Sequence, residues 1–193
     1  MKVFIIDNFD LFTYNLVDEF EKKECEVIVY KNDADIKTID NAMKKFRPNL
    51  IVIAPGSGNA ANAGISVEVI QAYQGKIPIL GIGLGHECII EAFGGSVGRS
   101  SLVAHGKTAK ISHDGKTIFK KIESPFIAGR YNSLAASEVP YALEVSARDE
   151  NDIVMGVRHK DTFIEGLQFH PESILTPEGS VLIDNILREA GKK

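Results

Sequence analysis

The chain has 193 residues, 44% of them hydrophobic and 25% charged, with a formal net charge of −4. That length suits one domain, spanning 1–193, and leaves enough apolar material for a core on two sides of a sheet. No apolar run approaches the ~20 residues of a membrane span. Acidic and basic residues are mixed along the chain, so no footprint for nucleic acid or anionic lipid is expected.

The N-terminus, Met1 to Asp7, has one positive charge and too short an apolar run for a signal peptide. Val3 to Ile6 reads instead as a buried parallel strand, and the protein as cytoplasmic. Asp10 is a plausible helix cap, followed by Phe12, Leu16, Val17 and Phe20 at helical spacing. Glu26 to Tyr30 is a second strand. Ile36 to Phe46 is a helix that stops before Pro48. Leu50 to Ala54 is a third strand, broken by Pro55-Gly56-Ser57-Gly58. A Gly- and Asn-rich loop, a helix over Ser66 to Tyr73, a fourth strand over Pro78 to Ile82, and a helix over Glu87 to Phe93 follow.

This alternation predicts an α/β fold with a parallel sheet covered by helices on both faces. Ligands of such sheets sit beyond the carboxyl ends of the strands, which directs attention to Asp7 to Asp10, Pro55 to Gly58 and Gly83 to His86. In the second half, Lys107 to Ser112, Tyr141 to Arg148, Ile153 to Arg158 and Ile164 to Phe169 read as antiparallel additions. The mildly basic run Lys107 to Lys121 reads as a solvated hairpin edge. Val181 to Leu187 reads as a closing helix. Cys25 and Cys88 fit no metal-binding spacing and suit a reducing compartment.

The turn after the fourth strand, Gly81-Ile82-Gly83-Leu84-Gly85, has the spacing of a nucleophile elbow. Residues two before and two after the centre must be small, and the helix N-terminus beneath favours a thiolate or oxyanion. The centre here is Gly83, which has no side chain. A plain tight turn is an equal reading. A dinucleotide loop is not, because the third glycine would fall on His86 or Cys88.

Gln168-Phe169-His170-Pro171-Glu172 places a carboxylate two residues from a histidine at a strand end. Glu172 there orients His170 as a general base; the competing reading is a loop histidine beside an acid. The Pro55 to Gly58 backbone and the Leu84 N–H are candidate oxyanion donors.

Gly-Ile-Gly-Leu-Gly-His-Glu over 81–87 resembles the elbow of the class I glutamine amidotransferases, Gly-[Val/Ile]-Cys-Leu-Gly-His-Gln, and Gly166 to Glu172 resembles their second catalytic segment. Ile6 to Asp10, Phe12 to Leu16, His105-Gly106-Lys107, Arg130 to Leu134 and His170 to Ile174 resemble the glutaminase subunits of anthranilate synthase and aminodeoxychorismate synthase. The resemblance runs from about residue 3 to 185. It implies a flavodoxin-like, doubly wound, mostly parallel sheet with antiparallel additions in the C-terminal half.

It also implies a subunit that hydrolyses glutamine and passes ammonia to a chorismate-using synthase subunit, of the anthranilate synthase component I type, in tryptophan biosynthesis. The folate enzyme and a non-catalytic glutamine-binding homologue are the alternatives. No metal or organic cofactor is implied.

The family's triad falls on Gly83, His170 and Glu172. Its glutamine site falls on Gly56, Ser57, Gly58, Leu84, Glu87, Ser133 and Leu134, with His105 to Lys107 near the synthase contact. Five positions depart from the family pattern. Gly83 replaces the nucleophilic cysteine, Glu87 a glutamine, Asn132 a histidine, Leu11 a serine and Ser57 a proline. One engineered Cys→Gly change accounts for Gly83 alone, so the set reads as divergence. Cys88 lies inside the predicted helix and reads as a structural thiol; a hydrolase that uses Cys88 or water on the same fold is the rival.

Overall fold

The computed structural model describes residues 1–192. Its element order is β1 (Lys2–Asn8), α1 (Thr13–Glu21), β2 (Glu26–Lys31), α2 (Ile36–Phe46), β3 (Leu50–Gly56), α3 (Ser66–Tyr73), β4 (Ile79–Ile82) and α4 (Leu84–Ala92). Then come β5 (Ser96–Arg99), β6 (Lys107–His113), β7 (Phe126–Arg130), β8 (Leu134–Glu138), β9 (Leu143–Asp149), β10 (Val154–His159), β11 (Ile164–Leu167) and α5 (Gly179–Ala190).

One nine-stranded sheet has the order β2-β1-β3-β4-β11-β10-β9-β6-β7. The pairs from β2 to β11 are parallel, and those from β11 to β7 are antiparallel. The first five strands therefore follow the flavodoxin-like arrangement; β11, read from the sequence as an antiparallel addition, instead pairs parallel with β4 and is antiparallel only to β10.

Strand alternation explains the two cores. Val3 and Ile5 face one side, where Leu16 and Phe20 of α1 and Leu182, Ile183 and Ile186 of α5 cover them. Phe4 and Ile6 face the other, against Ile39 and Met43 of α2, Val69 and Ile70 of α3, and Ile89 of α4. Side chains of a strand point alternately to opposite faces, so a continuous apolar run serves both layers.

Helix α2 starts as its sequence dictates: Asp35 Oδ1 accepts from the Thr38 N–H at 3.0 Å. Arg47 then takes a left-handed conformation before Pro48. Asp10 does not cap α1. Its Oδ1 accepts from the Phe12 N–H at 2.7 Å in a turn that precedes the helix.

Other boundaries differ from the sequence reading. Helix α4 begins at Leu84 rather than Glu87, because one positive-φ residue completes the turn. Strand β9 starts at Leu143, leaving Tyr141 exposed. Strand β6 is not an edge but lies between β9 and β7. Three short strands were not anticipated: β7 closes the large sheet, while β5 and β8 form a separate two-stranded ribbon. No helix among the described residues is long and apolar enough to cross a membrane.

Candidate active site

The carboxyl ends of β1, β3 and β4 converge with the segment after β11 around a cavity of about 260 Å³. Gly56, Ser57, Gly58, Gly83, Leu84, Glu87, Ser133, Leu134 and His170 all line it. Glu172 stands behind His170 rather than in the wall.

The turn at Gly83 is an elbow by geometry. Gly83 has φ 56° and ψ −113°. Its N–H donates to Leu167 of β11 at 2.8 Å, and its carbonyl accepts from the His86 N–H at 3.0 Å. The flanking glycines are required by contact. A Cβ on Gly81 would lie 2.3 Å from the Gly85 carbonyl oxygen, and one on Gly85 would lie 2.1 Å from that of Ile53.

A Cβ on Gly83, by contrast, points into the site. It would stand 3.2 Å from His170 Nε2 and 3.4 Å from the Pro55 Cβ. The elbow reading is thus favoured over a plain tight turn. A side chain at the centre would face a base.

That base is rigidly held. His170 Nδ1 lies 2.7 Å from Glu172 Oε1, and both residues are buried. A carboxylate only accepts hydrogen bonds, so Nδ1 is the donor and Nε2 is left facing the cavity. The pair comes together in a turn rather than an extended strand. The His170 N–H donates to Gly129 of β7, and its carbonyl accepts from the Ser173 N–H. Thr176 Oγ1 donates to that same carbonyl at 2.6 Å. The rings of Tyr131 and Phe12 meet the imidazole edge-on, with centroids 4.8 and 5.9 Å away.

The wall opposite is built by the loop after β3. Gly56 packs so closely on Asn8 that an added Cβ would lie 2.5 Å from the Asn8 Cβ. Asn8 in turn donates to Ala54 and accepts from Asn32 and Ser66, which fixes the Pro55 to Gly58 backbone over α4. The third wall, Asn132 to Leu134, hangs on a buried network. Arg130 pairs with Asp149 and donates to Asn132 Oδ1 at 3.2 Å, and Asn132 Nδ2 donates to the Leu134 carbonyl at 2.8 Å.

Glu87 is nearly buried in the wall, and burial pushes its carboxyl up to about 7, against a hydrogen bond from Gln168. Residues given no role in the site from sequence also line the cavity: Asp10, Phe12, Tyr131, Asn132 and Gln168. Each sits inside a motif segment, and that adjacency was the available signal. His105 lines the cavity too.

His86 does not join the site. It is fully buried beneath it, and desolvation lowers its imidazole to about 4. Cys88 is buried in the same helix and absent from the wall, and burial raises its thiol far above the ordinary range. It cannot supply the missing nucleophile.

The family model for class I glutamine amidotransferases matches residues 4–190. The chain belongs to this family. It is 49% identical over 181 residues to an anthranilate synthase component 2 of Methanocaldococcus jannaschii, covering 91% of this chain and 86% of that one. It is 40% identical over 191 residues to an anthranilate synthase component 2 of Buchnera aphidicola, covering 99% and 97%.

An aminodeoxychorismate/anthranilate synthase component 2 of Bacillus subtilis is 42% identical over 193 residues, covering 99% and 98%. The chain spans only 52% and 32% of two longer relatives. Among solved structures, a glutamine amidotransferase from Thermotoga maritima superposes with a TM-score of 0.79 at 16% identity, covering 100% of this chain and 99% of that one. At that identity the likeness speaks for the class I amidotransferase fold alone.

Proposed function

We propose that residues 1–193 form one domain acting as the glutaminase-type subunit of an anthranilate synthase. In this reading the cavity binds glutamine through Gly56, Ser57, Gly58, Leu84, Glu87, Ser133 and Leu134. Gly83 occupies the nucleophile position, His170 the base and Glu172 its orienter.

The observation that carries the reading is the direction of the missing Gly83 side chain, 3.2 Å from His170 Nε2, with Glu172 behind. Covalent amide cleavage needs a thiolate at that point, so the chain's own glutamine hydrolysis is absent or very weak. Relatives named anthranilate synthase component 2, matching nearly end to end, support the assignment to tryptophan biosynthesis.

The partner is a chorismate-using synthase subunit of the component I type. The segments that line the cavity also carry exposed apolar side chains for a docking face. Leu11 is 94% exposed and Ile174 96%, and Leu102 and Val103 are also exposed. All four lie within a few residues of Phe12, His105 or His170 in the chain, and exposed apolar side chains beside a site are candidates for partner contact. A cytoplasmic location goes with this role.

Glutamate release from glutamine is the test, measured for this chain and for Gly83→Cys, each with and without a synthase partner. Activity confined to Gly83→Cys supports an intact site that lacks only its nucleophile. Inactivity of both, with no glutamine binding, overturns the reading. The Bacillus subtilis relative's double name favours one second reading, the aminodeoxychorismate synthase of folate biosynthesis. Supplying each kind of synthase in turn separates the two. Glutamine binding with no response to either synthase would identify a non-catalytic homologue.

A further inference from the structure

The cavity contains a notch where a Gly83 side chain would stand, between His170 Nε2, His170 Cε1 and Pro55 Cβ, at 3.2, 3.6 and 3.4 Å from the Cβ position. An unbonded atom stands farther from Cα than a bonded carbon does, so an occupant would sit slightly outward, in the open cavity. Three features converge there. His170 is 4% exposed, and among the described residues its Nε2 has no hydrogen-bond partner. The notch lies at the N-terminal end of α4, a nine-residue helix whose dipole is positive there. The remaining contact, Pro55 Cβ, is apolar carbon.

We propose that this notch is a subsite for a small diffusible nucleophile of the sulfide or thiol class, with which the chain cleaves a carboxamide without a nucleophile of its own. The proposal rests on the glutamine-binding reading above. Sulfur suits the notch better than water does. Its anion is stabilised by the helix terminus at neutral pH, and it is intrinsically the stronger nucleophile.

With hydrogen sulfide, His170 Nε2 takes one proton as sulfur bonds to the carboxamide carbon. The oxygen of the tetrahedral intermediate faces the Leu84 N–H. The C–N bond then breaks and His170 returns its proton to the departing nitrogen. Carboxamide plus hydrogen sulfide gives thioacid plus ammonia, with no change in oxidation state.

The experiment follows ammonia release from glutamine by the full chain as sodium hydrosulfide is titrated in. The thioacid is trapped with iodoacetamide and identified by mass. Ammonia release is expected to rise with sulfide and saturate, and His170→Ala is expected to lower the sulfide-dependent rate about 100-fold. Gly83→Ala, which fills the notch, should lose the response while still binding glutamine by calorimetry. Because a positive φ strains alanine, the melting temperature is read on the same sample. His170→Gln serves as the second variant, free of that strain.

Sulfide-dependent release that is equal in His170→Ala is background chemistry and overturns the proposal. No response to sulfide from the unmodified chain, with Gly83→Cys active on glutamine, overturns the subsite alone and leaves the glutamine pocket standing. If Gly83→Cys is inactive as well, both fall together.

Discussion

His170 Nδ1 donates to Glu172 Oε1 across 2.7 Å, and the second oxygen of that buried carboxylate has no partner among the described residues. All the orienting force on the imidazole from its acid therefore passes through a single contact. An amide at position 172 can turn its NH₂ toward Nδ1 and invert the tautomer, placing a proton where a base is needed. In a Gly83→Cys background, Glu172→Gln is expected to lower kcat for glutamine by about 10²–10⁴-fold with little change in KM. Steady-state ammonia release checks this. A proportional rise in KM instead would assign Glu172 to binding.

The elbow glycines differ in what they tolerate. A Cβ at Gly85 would stand 2.1 Å from a backbone oxygen that cannot yield, whereas one at Gly83 meets a ring nitrogen at 3.2 Å. Gly85→Ala is expected to cost at least about 3 kcal/mol. Gly83→Ala is destabilised chiefly by its backbone conformation, about 1–3 kcal/mol. Urea unfolding of the two variants beside the parent measures the difference, and equal losses would remove the argument for a built elbow.

Glu87 gives the fold a pH dependence. Burial raises its carboxyl from 4.5 to about 7, with Glu91 adding to the rise and Gln168 opposing it. The folded state then keeps a proton that the unfolded state has released, so stability falls as pH climbs from 4.5 to about 7 and stays lowered above that. Glu87→Gln should abolish this slope. It should be more stable than the parent by roughly 3 kcal/mol at pH 8 and nearly equal to it at pH 4.5. Chemical denaturation across that range is the measurement.

Cys88 has neither exposure nor a favourable charge environment. It is fully buried, and Glu87 and Glu91 add to the desolvation that raises its thiol. Iodoacetamide is expected to leave it unmodified in the native protein and to label it once denaturant is added. Rapid native labelling at Cys88 would revive it as a reactive group.

The parallel half of the molecule was readable because its inner strands β1, β3 and β4 are buried on both faces, and β1 and β3 are spelled as unbroken apolar runs, Val3 to Ile6 and Leu50 to Ala54. Strands β5, β7 and β8 carry no such signal. Ser96-Val-Gly-Arg99 and Leu134-Ala-Ala-Ser-Glu138 are short, small and polar, and β5 and β8 exist only because they pair with each other across the sequence. The helix onset at Leu84 was hidden for a different reason, since it depends on a single residue's φ.

Within the site, Gly56 to Gly58, Gly83, Leu84, Ser133, Leu134, His170 and Glu172 came from motifs. Tyr131 and Phe12 carry no such signal, because an aromatic residue in a motif reads equally well as core. Their edge-on contact with His170 is a property of packing that spacing does not encode.

Strand β11 slots between β4 and β10, in the interior of the large sheet, although it is the last strand the chain supplies. A nascent chain short of residue 164 therefore has β4 as a bare edge, with its N–H and C=O groups open to any passing strand. It also has no imidazole beside Gly83. Insertion of β11 seals that edge, joins the parallel and antiparallel halves, and delivers Gln168, His170 and Glu172 to the cavity in one event. Residues through Glu172 must leave the ribosome before the base can face the other walls of the pocket. Until then, the hazard facing the half-made protein is mispairing at β4, and a chaperone that shields that strand would be guarding the site as much as the fold.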